Sequence, residues 1–329
     1  MSDPARLEPG MHANGLIADD RHGSRPYEGT VRTHPPTPDD NGLEMVVVTP
    51  SWAPDLELFS DLHESVLRCF PRSVRHLVVT AERDQAAFRR FEGPRCEVLS
   101  TGDVLPRHVK VFPPTRMRVN LRRPVPPLRG WIVQQLVKLA LAEQLEEKVI
   151  VVVDSDVVFL RPVTVSVFAP HGHVRFYRKD GGVSKEMARH VRWHEVARAL
   201  LGLPPAPPLP LPDYISALNA WDRDLVIAAL RHIEDATGRP WLTAVGRNVH
   251  FSEFILYGVF VDEIARPDAS VVTDDPLCHF YWDTVPLTVD TGLERLGSIK
   301  PADVAVMISA KSNTPMPVRR AMLAELTAP

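Results

Sequence analysis

Hydrophobic and polar positions change period several times along this chain, and each change marks an element. Residues 45–49, MVVVT, form a continuous apolar run, as a strand covered on both faces does. Within 56–70, Leu58, Leu62, Val66, Cys69 and Phe70 recur at helical spacing. Residues 74–80, VRHLVVT, predict a second strand, 82–92 a short amphipathic helix, and 96–100, CEVLS, a third strand. Such alternation predicts a parallel sheet with right-handed crossovers. A helix over 131–145 then leads into 148–159, KVIVVVDSDVVF, where five apolar β-formers run directly into Asp154, Ser155 and Asp156 and apolar residues resume at once. Further on, the pattern predicts a helix around 185–201, a strand over 214–220 and a helix over 223–238. That last helix has Asp222 as N-cap and Gly238 as terminator. A helix around 252–264, a strand over 270–273 and the segment 277–283, LCHFYWD, follow. No internal repeat is present.

Three stretches lack either period. Residues 1–43 are rich in Pro, Gly, Asp, Arg and His, a composition expected of a disordered tail. Between 103 and 130 prolines cluster at 106, 113, 114, 124, 126 and 127 among basic residues. Loops of that length are often functional, so a lid or hairpin over a site is expected there. The proline-rich block 203–213 reads as a stiff surface connector. The catalytic domain is expected over 44–312, with 313–329 a C-terminal helix or tail.

With 329 residues, 44% hydrophobic and 24% charged, the chain is globular in composition. A net charge of -3 disfavours nucleic acid as a partner. Cys69, Cys96 and Cys278 show no CxxC spacing, which fits a reducing cytoplasm better than a disulfide framework. The N-terminus lacks a signal-peptide pattern, and no apolar stretch reaches the ~18 residues of a transmembrane segment. A cytoplasmic protein is expected, its membrane contact at most peripheral.

The run at 148–159 carries the chemistry. On an extended strand residues 154 and 156 face the same side, and ligands of open α/β sheets bind beyond the strands' carboxyl ends. Two carboxylates placed there call for a cation; a hard divalent ion gripping a diphosphate fits, because Mg²⁺-type ions take one or two carboxylates plus phosphate oxygens. The plainer alternative is one Asp capping a turn and the other in water. On the helix 131–145, Gln134, Gln135 and Lys138 form one polar stripe with Trp131 a turn before. Such a stripe ordinarily faces water, which with packing suits the glutamines, whereas Lys138 is equally suited to bound phosphate as a point charge.

Other acidic pairs have simpler explanations. Asp222 and Asp224 flank a helix start, and Asp274 and Asp275 form either a turn or a second metal-facing pair. In LCHFYWD, Cys278, Phe280 and Trp282 take one face and His279, Tyr281 and Asp283 the other. His279 is a metal ligand only if the fold brings it to Asp156. Ser252 and Glu253 read as helix capping, with Glu253 alternatively the general base for an acceptor hydroxyl.

The order of these parts, a β-α-β-α-β half, WIVQQLVKL, VVVDSDVVFLRPV, YISALNAW, SEFILYG and CHFYW, resembles the GT-A-fold glycosyltransferases over roughly 45–309. The likeness is strongest to an uncharacterised bacterial glycosyltransferase-like family. It implies a GT-A-like, Rossmann-type, mainly parallel α/β sheet with helices on both faces. It further implies Asp156 as main ligand of Mn²⁺ or Mg²⁺, and Asp154 contacting ribose, sugar or metal. By the same likeness His279 is a further metal ligand and Thr49 to Ser51 lie near the nucleotide base. The expected activity is a hexosyltransferase-like transfer from a UDP- or GDP-sugar donor to the hydroxyl of an acceptor glycan or small molecule. One rival is a haloacid-dehalogenase-type phosphohydrolase with Asp154 as nucleophile and Asp274 and Asp275 as Mg²⁺ ligands. That family places its DxD on its first strand, whereas three strands come first here. A second rival is a non-catalytic nucleotide-sugar-binding protein.

Overall fold

A computed structural model of the chain describes residues 42–112, 117–120, 130–266 and 271–326. The expected disordered tail therefore lies, up to residue 41, outside the described residues. The strands of the two main sheets are β1 (Met45–Pro50), β2 (Arg75–Thr80), β3 (Cys96–Ser100), β4 (Val149–Val153), β5 (Val157–Phe159), β6 (Leu218–Asp222), β7 (Cys278–Tyr281) and β8 (Ala305–Ile308). The helices that matter to the site are α1 (Leu56–Cys69), α2 (Gly130–Ala142), α3 (Ala188–Leu200), α4 (Arg223–Thr237), α5 (Glu253–Phe260), α6 (Val289–Leu296) and α7 (Met316–Leu326).

The central sheet has the order β6-β4-β1-β2-β3. β1 pairs in parallel with both β2 and β4, β2 pairs in parallel with β3, and β6 alone runs antiparallel, against β4. The unbroken valine runs explain this placement. Val46, Val47, Val149 and Val151 are all 0% exposed, so successive side chains are buried on opposite faces of the sheet. On one face Val47, Val149 and Val151 join Phe59, Leu62 and Val66 of α1 in a single core. The mixed α/β architecture with a mainly parallel sheet is thus as the alternation predicts.

The chain builds β1, β2 and β3 in one direction and then returns to the other side of β1 to lay down β4. That reversal opens a crevice between the carboxyl ends of β1 and β4, the position at which doubly wound sheets bind ligands.

Residues 148–159 are not one strand. β4 ends at Val153, residues 154–156 turn, and β5 enters a second sheet of order β7-β8-β5. Behind this sheet Leu287, Leu296, Val306, Ile308 and Met322 form a small core from β8, α6 with the residues just before it, and α7. The fold therefore continues well past residue 312. Arg319 of α7, 5% exposed, donates to the carbonyls of Ile308, Ser309 and Thr314.

Other expectations shift in detail. Within 103–130, Val109–Phe112 and Met117–Asn120 pair as an antiparallel ribbon; residues 113–116 and 121–129 lie outside the described residues, and with them the expected lid. The proline-rich block ends in a strand, Leu211–Asp213, that pairs with Lys179–Val183. The strand expected at 214–220 begins at Leu218, and Tyr214 instead stacks on Phe176. α4 is capped by Asp222, which accepts from the N–H of Asp224 and Leu225, and ends at Gly238 with φ 62°. No helix among the described residues is long and apolar enough to cross a membrane.

Under the sheet, Thr49 Oγ1 lies 2.9 Å from His76 Nε2, and His76 Nδ1 lies 3.0 Å from His63 Nδ1. Burial, with the Arg95 charge, lowers His63 to about 4, and burial holds His76 well below the ordinary imidazole value. Unfolding restores proton affinity to such groups, so the contribution of His63 is present above pH 6.5 and lost as pH falls towards 4. The stability advantage of the wild type over His63→Leu should therefore shrink by about 3 kcal/mol between pH 7 and pH 4; a pH-independent difference in urea denaturation would contradict this. A second expectation concerns Gly258 of α5, where a Cβ would stand 2.1 Å from the Tyr214 ring. Glycine to alanine in a helix normally stabilises, but Gly258→Ala should destabilise by about 2 kcal/mol through overpacking, read as a lowered urea midpoint.

Candidate functional site

At the switch point the two strand ends are tied together by Ser51 Oγ and Ser155 Oγ, 2.8 Å apart and buried. Ser51 follows β1 and Ser155 sits between the two aspartates, so this bond closes the floor of the crevice. The turn at 154–156, with Val157 N–H donating to Asp154 O at 3.3 Å, corrects the expectation of two carboxylates on one extended face. Each aspartate finds its own partner. Asp154, with a side chain 52% exposed, lies 3.4 Å through Oδ1 from Lys138 Nζ. Asp156 Oδ2 accepts from the Ala310 N–H at 2.8 Å. Burial and then the Asp154 charge push the Asp156 carboxyl up to about 6, against the pull of the Ala310 N–H and Arg319.

A third carboxylate stands nearby. Asp55, just before α1, accepts from the indole N–H of Trp52 at 2.7 Å. Its pKa is raised by burial and by the Asp154 charge. Trp52 is 46% exposed at the end of β1. The cavity behind Asp156, lined by Leu58, Ser155, Val306, Ile308 and Arg319, holds about 10 Å³, room for about one water. A larger ligand would therefore lie on the open side, against Trp52 and Asp154.

The other wall comes from α2 and α5. Lys138 is buried, and its ammonium is shared by Asp154 and Glu253, the latter at 3.0 Å. It also lies 4.7 Å from the Phe254 ring. Burial alone would lower this amine; the two carboxylates outweigh that and hold it above its ordinary value. The polar stripe of α2 thus faces protein at Gln135 and Lys138. Gln135 is 2% exposed, accepts the Glu253 N–H at 3.1 Å and donates to Trp131 O, so water is not what it faces. Ser252 caps α5 by accepting from the Ile255 N–H. Glu253, 3% exposed and ion-paired, is not open to an acceptor hydroxyl; its role here is to hold Lys138, a correction to the general-base expectation.

Two further expectations are corrected by position. Thr49 is 0% exposed with its hydroxyl on His76, so it cannot meet a nucleotide base. His279 registers with Val306, and Val306 with Val158 on β5. That puts His279 two strands from β5, roughly 10 Å, while Asp156 is level with Ile308. The fold does not bring His279 to Asp156. Asp275 closes a turn by accepting the Leu277 N–H and pairs with Arg175, which engages one of the two carboxylates the phosphohydrolase reading needs.

Among the described residues no group of three or more His, Cys, Asp or Glu is placed to hold a metal ion. Asp154 and Asp156 are what remains for one. Two carboxylates suit an ion that completes its shell with water and phosphate oxygens, and not a caged zinc site. The residues that sequence reasoning missed are Trp52, Asp55, Ser155, Ala310 and Arg319. Only Trp52 left a signal, an aromatic placed directly after a strand end.

Residues 48–285 match the model of a family of unknown function, DUF6492, and the chain belongs to that family. The match contains Ser51, Lys138, Asp154, Asp156 and Glu253 but ends before Ala310 and Arg319. No curated protein matches the chain.

Removing one partner of a buried ion pair strands the other charge, at a cost of about 3 to 5 kcal/mol. Lys138→Met should therefore destabilise the fold by that order in urea denaturation, and adding Glu253→Gln should restore a large part of it. Independent, additive effects of the two substitutions would rule out the shared ammonium.

Proposed function

We propose that this protein is a metal-dependent glycosyltransferase that takes a sugar from a nucleoside-diphosphate donor, of the UDP- or GDP-sugar type, to an acceptor hydroxyl. One observation carries the reading: the crevice at the sheet's reversal is lined, at the carboxyl ends of β1 and β4, by Ser51, Asp154 and Asp156. Helix α2 contributes a buried cation behind them.

The residues divide the work as follows. Trp52 offers a flat, exposed indole at the end of β1 on which a nucleotide base would stack. Asp154 and Asp156 would hold Mn²⁺ or Mg²⁺; when bound, such an ion neutralises a diphosphate leaving group. Burial and the Asp154 charge, which together raise Asp156, favour a cation beside the two carboxylates. Lys138 holds Asp154 on one side and the Ala310 N–H holds Asp156 on the other. The partner at the attacking end is a hydroxyl of a glycan or small molecule, for which Glu253 is not the base.

Isothermal titration of UDP and GDP in the presence of Mn²⁺ should show binding that chelation removes and that Asp156→Ala abolishes. Unchanged titrations in that variant would reject the reading. Metal-dependent turnover in a screen of nucleotide sugars separates an enzyme from a protein that only binds them.

A further inference from the structure

Trp131 lies on the α2 stripe singled out in the sequence, yet the crevice does not use it. It sits in the first turn of α2, seven residues before Lys138, hence roughly 10 Å along the helix axis from it. Since α2 precedes β4 and runs against it, that first turn stands at the same edge of the sheet as the strands' carboxyl ends. The Trp131 ring stacks on Trp193 of α3 with centroids 5.5 Å apart and planes 30° apart. The guanidinium of Arg189, one turn before Trp193 on α3, lies 5.6 Å from the Trp131 ring and 5.0 Å from the Trp193 ring. His190 packs 4.7 Å from the Trp193 ring.

Two features make this a binding surface instead of ordinary packing. Trp193 is buried, but Trp131 keeps 42% of its surface exposed, so part of its indole meets solvent. Arg189 is exposed, and among the described residues no carboxylate forms an ion pair with it. Its neighbour Arg192, by contrast, is paired with Glu195. The aromatic rings hold the guanidinium by cation–π attraction without using its N–H donors. Among the described residues the planar fork therefore remains free for bidentate bonding to a carboxylate or phosphate.

An open indole beside an unpaired, pre-positioned guanidinium matches a ring with an apolar face and an anionic substituent. We propose that Trp131 and Arg189 form a subsite for an anionic saccharide, a sugar ring carrying a carboxylate or a phosphate. Its role as the acceptor subsite rests on the transferase reading; its binding of the anionic sugar does not.

The test uses the full-length chain without nucleotide or metal, so that its outcome stands apart from the nucleotide titrations. Tryptophan fluorescence is followed while glucuronate, glucose 6-phosphate, glucose and inorganic phosphate are added separately. At least one charged sugar should bind tenfold or more tightly than both glucose and inorganic phosphate, and which of the two does so distinguishes carboxylate from phosphate recognition. Arg189→Gln should remove the preference for the charged sugar and Arg189→Lys should keep part of it. Trp131→Ala, followed by calorimetry, should weaken binding of the charged sugar towards that of the bare anion. Equal binding of glucose and its charged forms, binding of phosphate as tight as that of the sugar, no binding of any probe, or an unaltered Arg189→Gln variant would each overturn the proposal.

Discussion

A buried ammonium organises this site. Lys138 projects from α2 between the end of β4 and the start of α5, and its charge is shared by Asp154 and Glu253. In a dry position an unpaired ammonium would be untenable, so the three elements must meet there with their charges in register. Gln135, one turn earlier, repeats the link by accepting the Glu253 N–H. The rigid wall of the crevice is thus made by charge balance as much as by apolar packing. Gly258, five residues into α5 from Glu253, lets that helix lie directly against the Tyr214 ring.

The opposite wall is set by a different kind of bond. Asp156 is held by a backbone N–H from Ala310, and the 308–314 segment that presents it is folded around the Arg319 guanidinium. These groups lie beyond the part of the chain that matches its family. The C-terminal helices therefore serve the crevice and not only the small core behind it. One aspartate is braced by a side chain from the first half of the fold and the other by backbone from the turn just after its last strand. The short turn at 154–156 sets the two close enough for the Asp154 charge to add to burial in raising Asp156.

Periodicity made the central sheet legible. The runs at 45–49 and 149–153 are almost unbroken and apolar because their strands are covered on both faces, and those at 74–80 and 96–100 keep enough apolar β-formers around Arg75, His76 and Glu97 to read as strands. Capping was legible for the same local reason: Asp222 and Ser252 satisfy N–H groups within a few residues of themselves. What periodicity could not reveal was the break inside 148–159. A turn of three residues between two apolar strands has the same pattern as one long strand until the strands are assigned to different sheets.

What the sequence by itself determined is the alternation of strands and helices and the placement of Asp154 and Asp156 at the exit of a buried strand, since both follow from local propensity and burial. The tertiary structure alone decided the partners. Lys138 and Glu253 are 115 residues apart, and Asp156 and Ala310 are 154 apart, separations at which no local pattern carries information. The return of the chain across β1 chose Ser155 to meet Ser51, and the pairing of β7 with β8 left His279 two strands away from Asp156. Polar contacts of that range depend on topology, because a side chain's ability to bond is local while the position of its partner is not.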